Sequence, residues 1–84
     1  MQNVYDLNFC APCPVNGEKI NYSITLTVTD GMIPVEDIQI ALSEMVSPIM
    51  QEDLWTALKT RFAPQGALVD IVGTHSNVKI TSTG

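Results

Sequence analysis

Asn21-Tyr22-Ser23-Ile24-Thr25-Leu26-Thr27-Val28-Thr29 alternates without a break. Tyr22, Ile24, Leu26 and Val28 share one face, and Asn21, Ser23, Thr25, Thr27 and Thr29 share the other. Side chains of a strand point alternately to its two faces, so this pattern is a strand with one face in a core and one left polar. That is the signature of an antiparallel sheet covered on one side, because parallel sheets are buried on both.

Working outward, Val4–Phe9 alternates in the same way, with Tyr5, Leu7 and Phe9 against Asp6 and Asn8, and predicts a short first strand. Pro12, Pro14 and Asn16-Gly17 mark a loop between the two. Asp30-Gly31 closes the second strand. Pro34 then suits a first helical turn, where its missing N–H costs nothing, and Glu36 and Asp37 complement the positive end of the helix dipole. Val35, Ile38, Ala41, Leu42 and Met45 form the apolar stripe. Ser47-Pro48 reads as a break and restart, with Ser47 as cap and Pro48 at the first position of a second helix reaching about Phe62. Leu54, Leu58 and Phe62 repeat every four residues in it, with Trp55 beside them as core or interface. Glu52 and Asp53 lie near its start and Lys59 and Arg61 near its end, and Pro64-Gln65-Gly66 closes it. Leu68–Gly73 and Val78–Thr83 are two further strands, joined by Thr74-His75-Ser76-Asn77. The order β-β-α-α-β-β predicts a single α+β domain: a four-stranded antiparallel sheet with both helices on one face.

The chain has 84 residues, which fits one domain with a small core of its own. An apolar content of 45% against 15% charged argues for a folded chain with some apolar surface covered by other subunits. Four basic residues face nine acidic ones, for a net charge of −5. Binding to a nucleic-acid backbone needs Lys and Arg to neutralise phosphates, so that class is excluded. The acids are spread from Asp6 to Asp70 rather than lined up, which disfavours mimicry of a nucleic acid. Met1–Phe9 lacks the basic and apolar runs of a signal peptide. Gly31–Met50 is interrupted by Glu36, Asp37 and Glu44 and is no membrane span. Two cysteines in such a chain fit reduced thiols, and a cytoplasmic setting is expected.

Chemistry concentrates in Phe9-Cys10-Ala11-Pro12-Cys13-Pro14-Val15-Asn16-Gly17-Glu18. Cys13 reads either as a nucleophile, which needs positive charge or a helix N-terminus nearby and has Lys19 as its local cation, or as a buried loop cysteine. Cys10-x-x-Cys13 also has the spacing of a redox pair or of half a metal site completed by His75 and a carboxylate. His75 is either an acid–base group or an exposed turn residue. Glu52 is either the anchor of a guanine-like edge, accepting two N–H bonds, or a solvated charge favoured by the dipole, and Glu36 has the same two readings.

The element order resembles the tunnelling fold (T-fold), in which sheets of several subunits join edge to edge into a barrel. Purine- or pterin-like ligands are held there at subunit interfaces, usually by a glutamate. The run Phe9–Leu26 is similar to the QueF-type nitrile reductases that act on 7-cyano-7-deazaguanine (preQ0). Phe9, Cys13, Pro14, Gly17 and Ile24 stand where that family has like residues. Val35-Glu36 resembles the start of the family's Val-Glu-Ser-Lys element, and Gln51-Glu52-Asp53 its His-Glu-Asp element. The resemblance implies Cys13 as covalent nucleophile and Glu52 as base anchor, with Glu36 as a secondary contact, and His75 is expected beside them as a further substrate-binding residue. The family's acid, seven residues after the cysteine, is Ile20 here, so the proton donor is either missing or moved to Glu18. The family's Lys-rich NADPH motif is replaced by Asp37-Ile38-Gln39-Ile40. A related archaeal group makes an amidine through the same cysteine adduct without NADPH.

The expected function is therefore QueF-like: a deazapurine nitrile held as a thioimide on Cys13, then reduced or converted to an amidine. The expected partners are a small purine-like ligand and further copies of the chain through sheet edges, with no metal, nucleic acid or membrane. The alternative is a non-catalytic acidic interaction or assembly protein that reuses the same fold.

Overall fold

The computed structural model describes residues 1–45 and 47–84. Four strands and two helices follow in the order β1 (Asn3–Pro12), β2 (Lys19–Val28), α1 (Val35–Ser43), α2 (Gln51–Phe62), β3 (Ala67–His75) and β4 (Val78–Ser82). The strands form one antiparallel sheet in the order β1-β2-β3-β4, so each strand pairs with its sequence neighbour. The helices are inserted between β2 and β3.

Cross-strand partners share a face, so the register writes out the inner surface row by row. Tyr5, Leu26 and Val69 form one row, and Leu7, Ile24, Ile71 and Ser82 the next. Phe9, Tyr22, Gly73 and Ile80 form a third. The inner residues of β2 and the central ones of β3 are sealed from solvent, while β1 and β4 at the edges are only partly covered. Both helices lie on this face. Ile38 and Ala41 of α1 and Leu54, Leu58 and Phe62 of α2 join the same apolar cluster. The opposite face carries Asp6, Asn8, Ser23 and the threonines of β2, with Thr25 donating to Asp6 at 3.1 Å.

Several bounds differ from the sequence expectation. β1 runs on through Cys10, Ala11 and Pro12, because a proline is tolerated on an edge strand. The loop it leaves is closed by Cys13 N–H donating to the Glu18 carbonyl at 2.7 Å and Gly17 N–H to the Cys13 carbonyl at 2.8 Å. Gly17 sits there at φ 76°, a left-handed conformation that favours glycine. Pro34 precedes α1 rather than opening it: its backbone is extended and its carbonyl accepts from Asp37 and Ile38. Val35 is exposed and outside the stripe.

Ser47 does not cap the second helix, and Pro48 is not its first residue. α2 starts at Gln51 after Met50, and the intervening Ile49 is drawn into the core. The end of α2 is as expected, with a 3-10 turn at Ala63–Gln65 and Gly66 at φ 81°. His75 is not in a loop. Ser76 takes a positive φ of 56°, which tightens the turn to Ser76-Asn77 and lets Thr74 and His75 pair with Lys79 and Val78.

β4 is short and ends opposite Ile71. Beyond that point the β3 edge is completed by Trp55, whose Nε1 donates to the Val69 carbonyl at 2.9 Å. Lys59 lies over the Trp55 ring and donates to the Gly84 carbonyl. No helix among the described residues is long and apolar enough to cross a membrane.

Candidate functional site

The β1–β2 loop, the start of α2 and the β3–β4 hairpin surround a cleft of about 370 Å³ at one end of the sheet. Its walls include Cys13, Ile20, Tyr22, Gln51, Glu52, Gly73, His75 and Ile80. The cleft exists because α2 covers the centre of the inner face but leaves the inner face of β4 open. Ile80 and Val78 stay exposed there.

Three residues singled out in the sequence therefore meet: Cys13 from the loop, Glu52 from the first turn of α2, and His75 from the last position of β3. His75 points to the cleft because β3 alternates Ala67, Val69, Ile71, Gly73 and His75 onto the inner face. Glu18 reaches the site through His75, with its carboxylate 3.5 Å from His75 Nε2 and accepting from Ser76 Oγ at 3.3 Å. Glu36 does not come to the cleft. It is exposed in the first turn of α1, where the helix dipole accounts for it.

Cys13 is buried and Cys10 is exposed on the open face of the sheet, and both are free thiols. Cys10 pairs with Asn21, on the side of the sheet away from His75. Among the described residues, no three His, Cys, Asp or Glu side chains converge as a metal site. The residues at the family's dinucleotide motif do not fit NADPH either. A phosphate-bearing cofactor needs cations, whereas α1 carries Glu36 and Asp37 in its first turn, no basic residue in its last, and Ile38 in the core.

Neighbours that the sequence reading does not single out complete the site. Gln51 Nε2 donates to the Ile80 carbonyl at 2.9 Å and to Ser82 Oγ at 3.1 Å, tying α2 to β4 across the cleft floor. Gly73 is bare beneath it. A Cβ at that position would overlap the Gln51 side-chain oxygen Oε1 and stand 3.0 Å from the Tyr22 ring. A glycine inside a strand is the available signal of such a close approach. Asn16 Oδ1 accepts from Glu18 N–H at 3.0 Å, an Asx turn that shapes the loop, and Asn16 Nδ2 lies 3.3 Å from His75 Nε2.

No protein-family model, curated protein or solved structure matches this chain.

Tyr22 shapes the inner wall. Its hydroxyl donates to the Ile49 carbonyl at 3.4 Å, and burial together with the neighbouring Cys13 raises its pKa above the ordinary phenol value. The folded state thus holds this proton to higher pH than the unfolded chain does. The stabilisation is complete below about pH 10 and is lost as pH rises through the raised folded value. Tyr22→Phe is expected to cost about 0.5–1.5 kcal/mol at neutral pH, from the lost hydrogen bond. Above about pH 10 the gap to wild type should narrow. Urea midpoints at about pH 7 and about pH 10.5 measure this, and a gap that widens with pH contradicts it.

Proposed function

We propose that the cleft binds a deazapurine-type nitrile and that Cys13 attacks the nitrile carbon to form a covalent thioimide. The observation that carries this reading is that Cys13 and Glu52, far apart in sequence, line one cleft. Ile20, at the place of the family's acid, lines it too. A volume of about 370 Å³ is within the usual range for small-ligand sites. Glu52 accepts two N–H bonds from the guanine-like edge and fixes the ring so that the nitrile faces the thiol. The cleft walls are otherwise largely apolar, which suits a flat heterocycle.

The thioimide has two fates. Hydride reduction needs a dinucleotide that the acidic α1 does not suit. Ammonia can instead add to the thioimide carbon and expel the Cys13 thiol, leaving an amidine. The second is the better fit to these residues.

Incubation with 7-cyano-7-deazaguanine followed by intact-mass measurement tests the reading. Wild type should gain one ligand mass, and Cys13→Ala should gain none. A folded wild-type chain without an adduct sinks it.

The oligomer belongs to the same proposal. β1 and β4 are the sheet edges, and along the ten-residue β1 every second residue turns its backbone groups to the outer side. Such an edge is a template for another strand. Light scattering after size exclusion should give a multiple of the 9.2 kDa protomer. A monomer at micromolar concentration contradicts edge-to-edge assembly. A second reading, a non-catalytic acidic interaction protein, is favoured by the exposed apolar side chains Val4, Met32, Leu68, Val78 and Ile80. It gains the weight if Cys13 forms no adduct.

A further inference from the structure

We propose that His75, held by Glu18 and Asn16, is the acid–base group that carries the proton from the Cys13 thiol to the nitrile nitrogen. This rests on the nitrile reading above and assigns the step that reading leaves without a proton carrier. It replaces two sequence expectations, Glu18 as the direct donor and His75 as a substrate contact.

The position where the family's acid stands is apolar Ile20, buried in the cleft wall. β2 pairs Asn21 with Thr74, Ile20 and His75 are the next residues on the two strands, and both line the cleft. An imidazole thus lies next to the vacated acid position, on the inner face and in the same cleft as Cys13.

The surroundings of His75 Nε2 fix the tautomer of the ring. Asn16 Nδ2 lies 3.3 Å away, on the same side of the ring. The Glu18 carboxylate, an acceptor, lies 3.5 Å away, keeps the N–H on Nε2 and favours the imidazolium once Nδ1 is protonated. Both partners belong to the Cys13 loop. Glu18 links the two ends of the chemistry, because its backbone carbonyl accepts from Cys13 N–H at 2.7 Å while its side chain faces the imidazole. Nδ1 is left to exchange the proton with substrate and thiol.

The step balances without an oxidant or reductant. The Cys13 thiol proton passes to the imidazole and the sulfur bonds to the nitrile carbon. One C–N π bond breaks, and the imidazolium returns the proton to nitrogen, giving a neutral thioimide. Glu18 acts only through His75 and is a positioning residue.

The test uses 2-cyanopyrimidine, a nitrile that forms thioimides with thiols without needing deazapurine recognition. A Cys10→Ser background leaves Cys13 as the one thiol, since the chain has two cysteines. His75→Ala should slow adduct formation about a hundredfold, within the range of general acid–base catalysis. Added imidazole should restore much of that loss, which a merely structural role would not allow. Glu18→Gln should slow the reaction in the parent but add no further loss once His75 is alanine. A folded His75→Ala chain that reacts at the parent rate, a loss that imidazole leaves unchanged, or a parent thiol no faster than free cysteine each overturns the proposal. If 2-cyanopyrimidine behaves as expected while 7-cyano-7-deazaguanine gives no adduct, His75 stands as the proton carrier and the deazapurine reading falls.

Discussion

Phe62→Ala is expected to remove about 3–5 kcal/mol of stability, the usual cost of emptying a buried phenylalanine site. Phe62 is sealed from solvent at the last turn of α2, in one cluster with Leu54 and Leu58 and with the inner rows of β2 and β3. For 84 residues the total stability of a native domain is about 4–13 kcal/mol. The substitution thus takes a large share of it, and the melting temperature should fall by at least about 12 °C, at about 4–8 °C per kcal/mol for this size. The neighbouring residue provides the contrast. Arg61 pairs with Glu44 at 3.0 Å, but the two side chains are 38% and 60% exposed. Water screens that pair, so Arg61→Ala should cost less than about 1 kcal/mol. Urea unfolding of the two variants decides the matter. Comparable losses would mean that α2 is held by its charged face and not by the Leu54–Phe62 stripe.

The contrast between those two residues also explains which features of the molecule are legible in its amino-acid sequence. The fold is legible because burial is written in periodicity. Tyr22, Ile24, Leu26 and Val28 alternate, Leu54, Leu58 and Phe62 repeat at four, and each set is buried as its spacing requires. What periodicity does not encode is where an element stops. Ser47-Pro48 has the local chemistry of a helix start, whereas tertiary burial of Ile49 sets the path of the chain there and α2 begins only at Gln51. Thr74-His75-Ser76-Asn77 reads as a loop because it is polar throughout. Only the positive φ at Ser76 shortens the turn and returns His75 to the inner face. The site is legible in part. Cys13 and Glu52 stand out by sequence pattern, and the fold brings them to one cleft. Glu36 stands out by the same kind of pattern and stays outside it. A helix-start glutamate looks the same in sequence whether it faces a cleft or water. The Glu18–His75 and Gln51–β4 contacts join residues far apart along the chain, and no local signal marks such pairs.

Gly73→Ala should cost about 1–3 kcal/mol, although alanine suits a strand better than glycine does. The reason lies on the cleft floor. The new methyl group would overlap the Gln51 side-chain oxygen and stand 3.0 and 3.1 Å from two carbons of the Tyr22 ring. The two neighbours differ in how far they can yield. Gln51 is the end of a long side chain and can swing away, but it then gives up its hydrogen bonds to the Ile80 carbonyl and Ser82 Oγ. Tyr22 is packed in the core and is held at its hydroxyl by the Ile49 carbonyl. The cost should therefore divide into a part that Gln51 carries and a part that it does not. Gln51→Ala alone removes the ties to β4 and should cost about 1 kcal/mol. In the double variant the overlap with Gln51 no longer exists, so the combined loss should be smaller than the sum of the single losses by at least about 0.5 kcal/mol. What remains measures the pressure on Tyr22. Strict additivity in a urea-unfolding cycle would show that the methyl group never meets Gln51 and would remove that contact from the cleft floor. The same variant bears on ligand entry, because Gly73 lines the cleft that Cys13 and Glu52 share. A methyl group there narrows the floor, so if Cys13 takes the proposed nitrile adduct, its formation should slow in Gly73→Ala even at temperatures where the variant is fully folded.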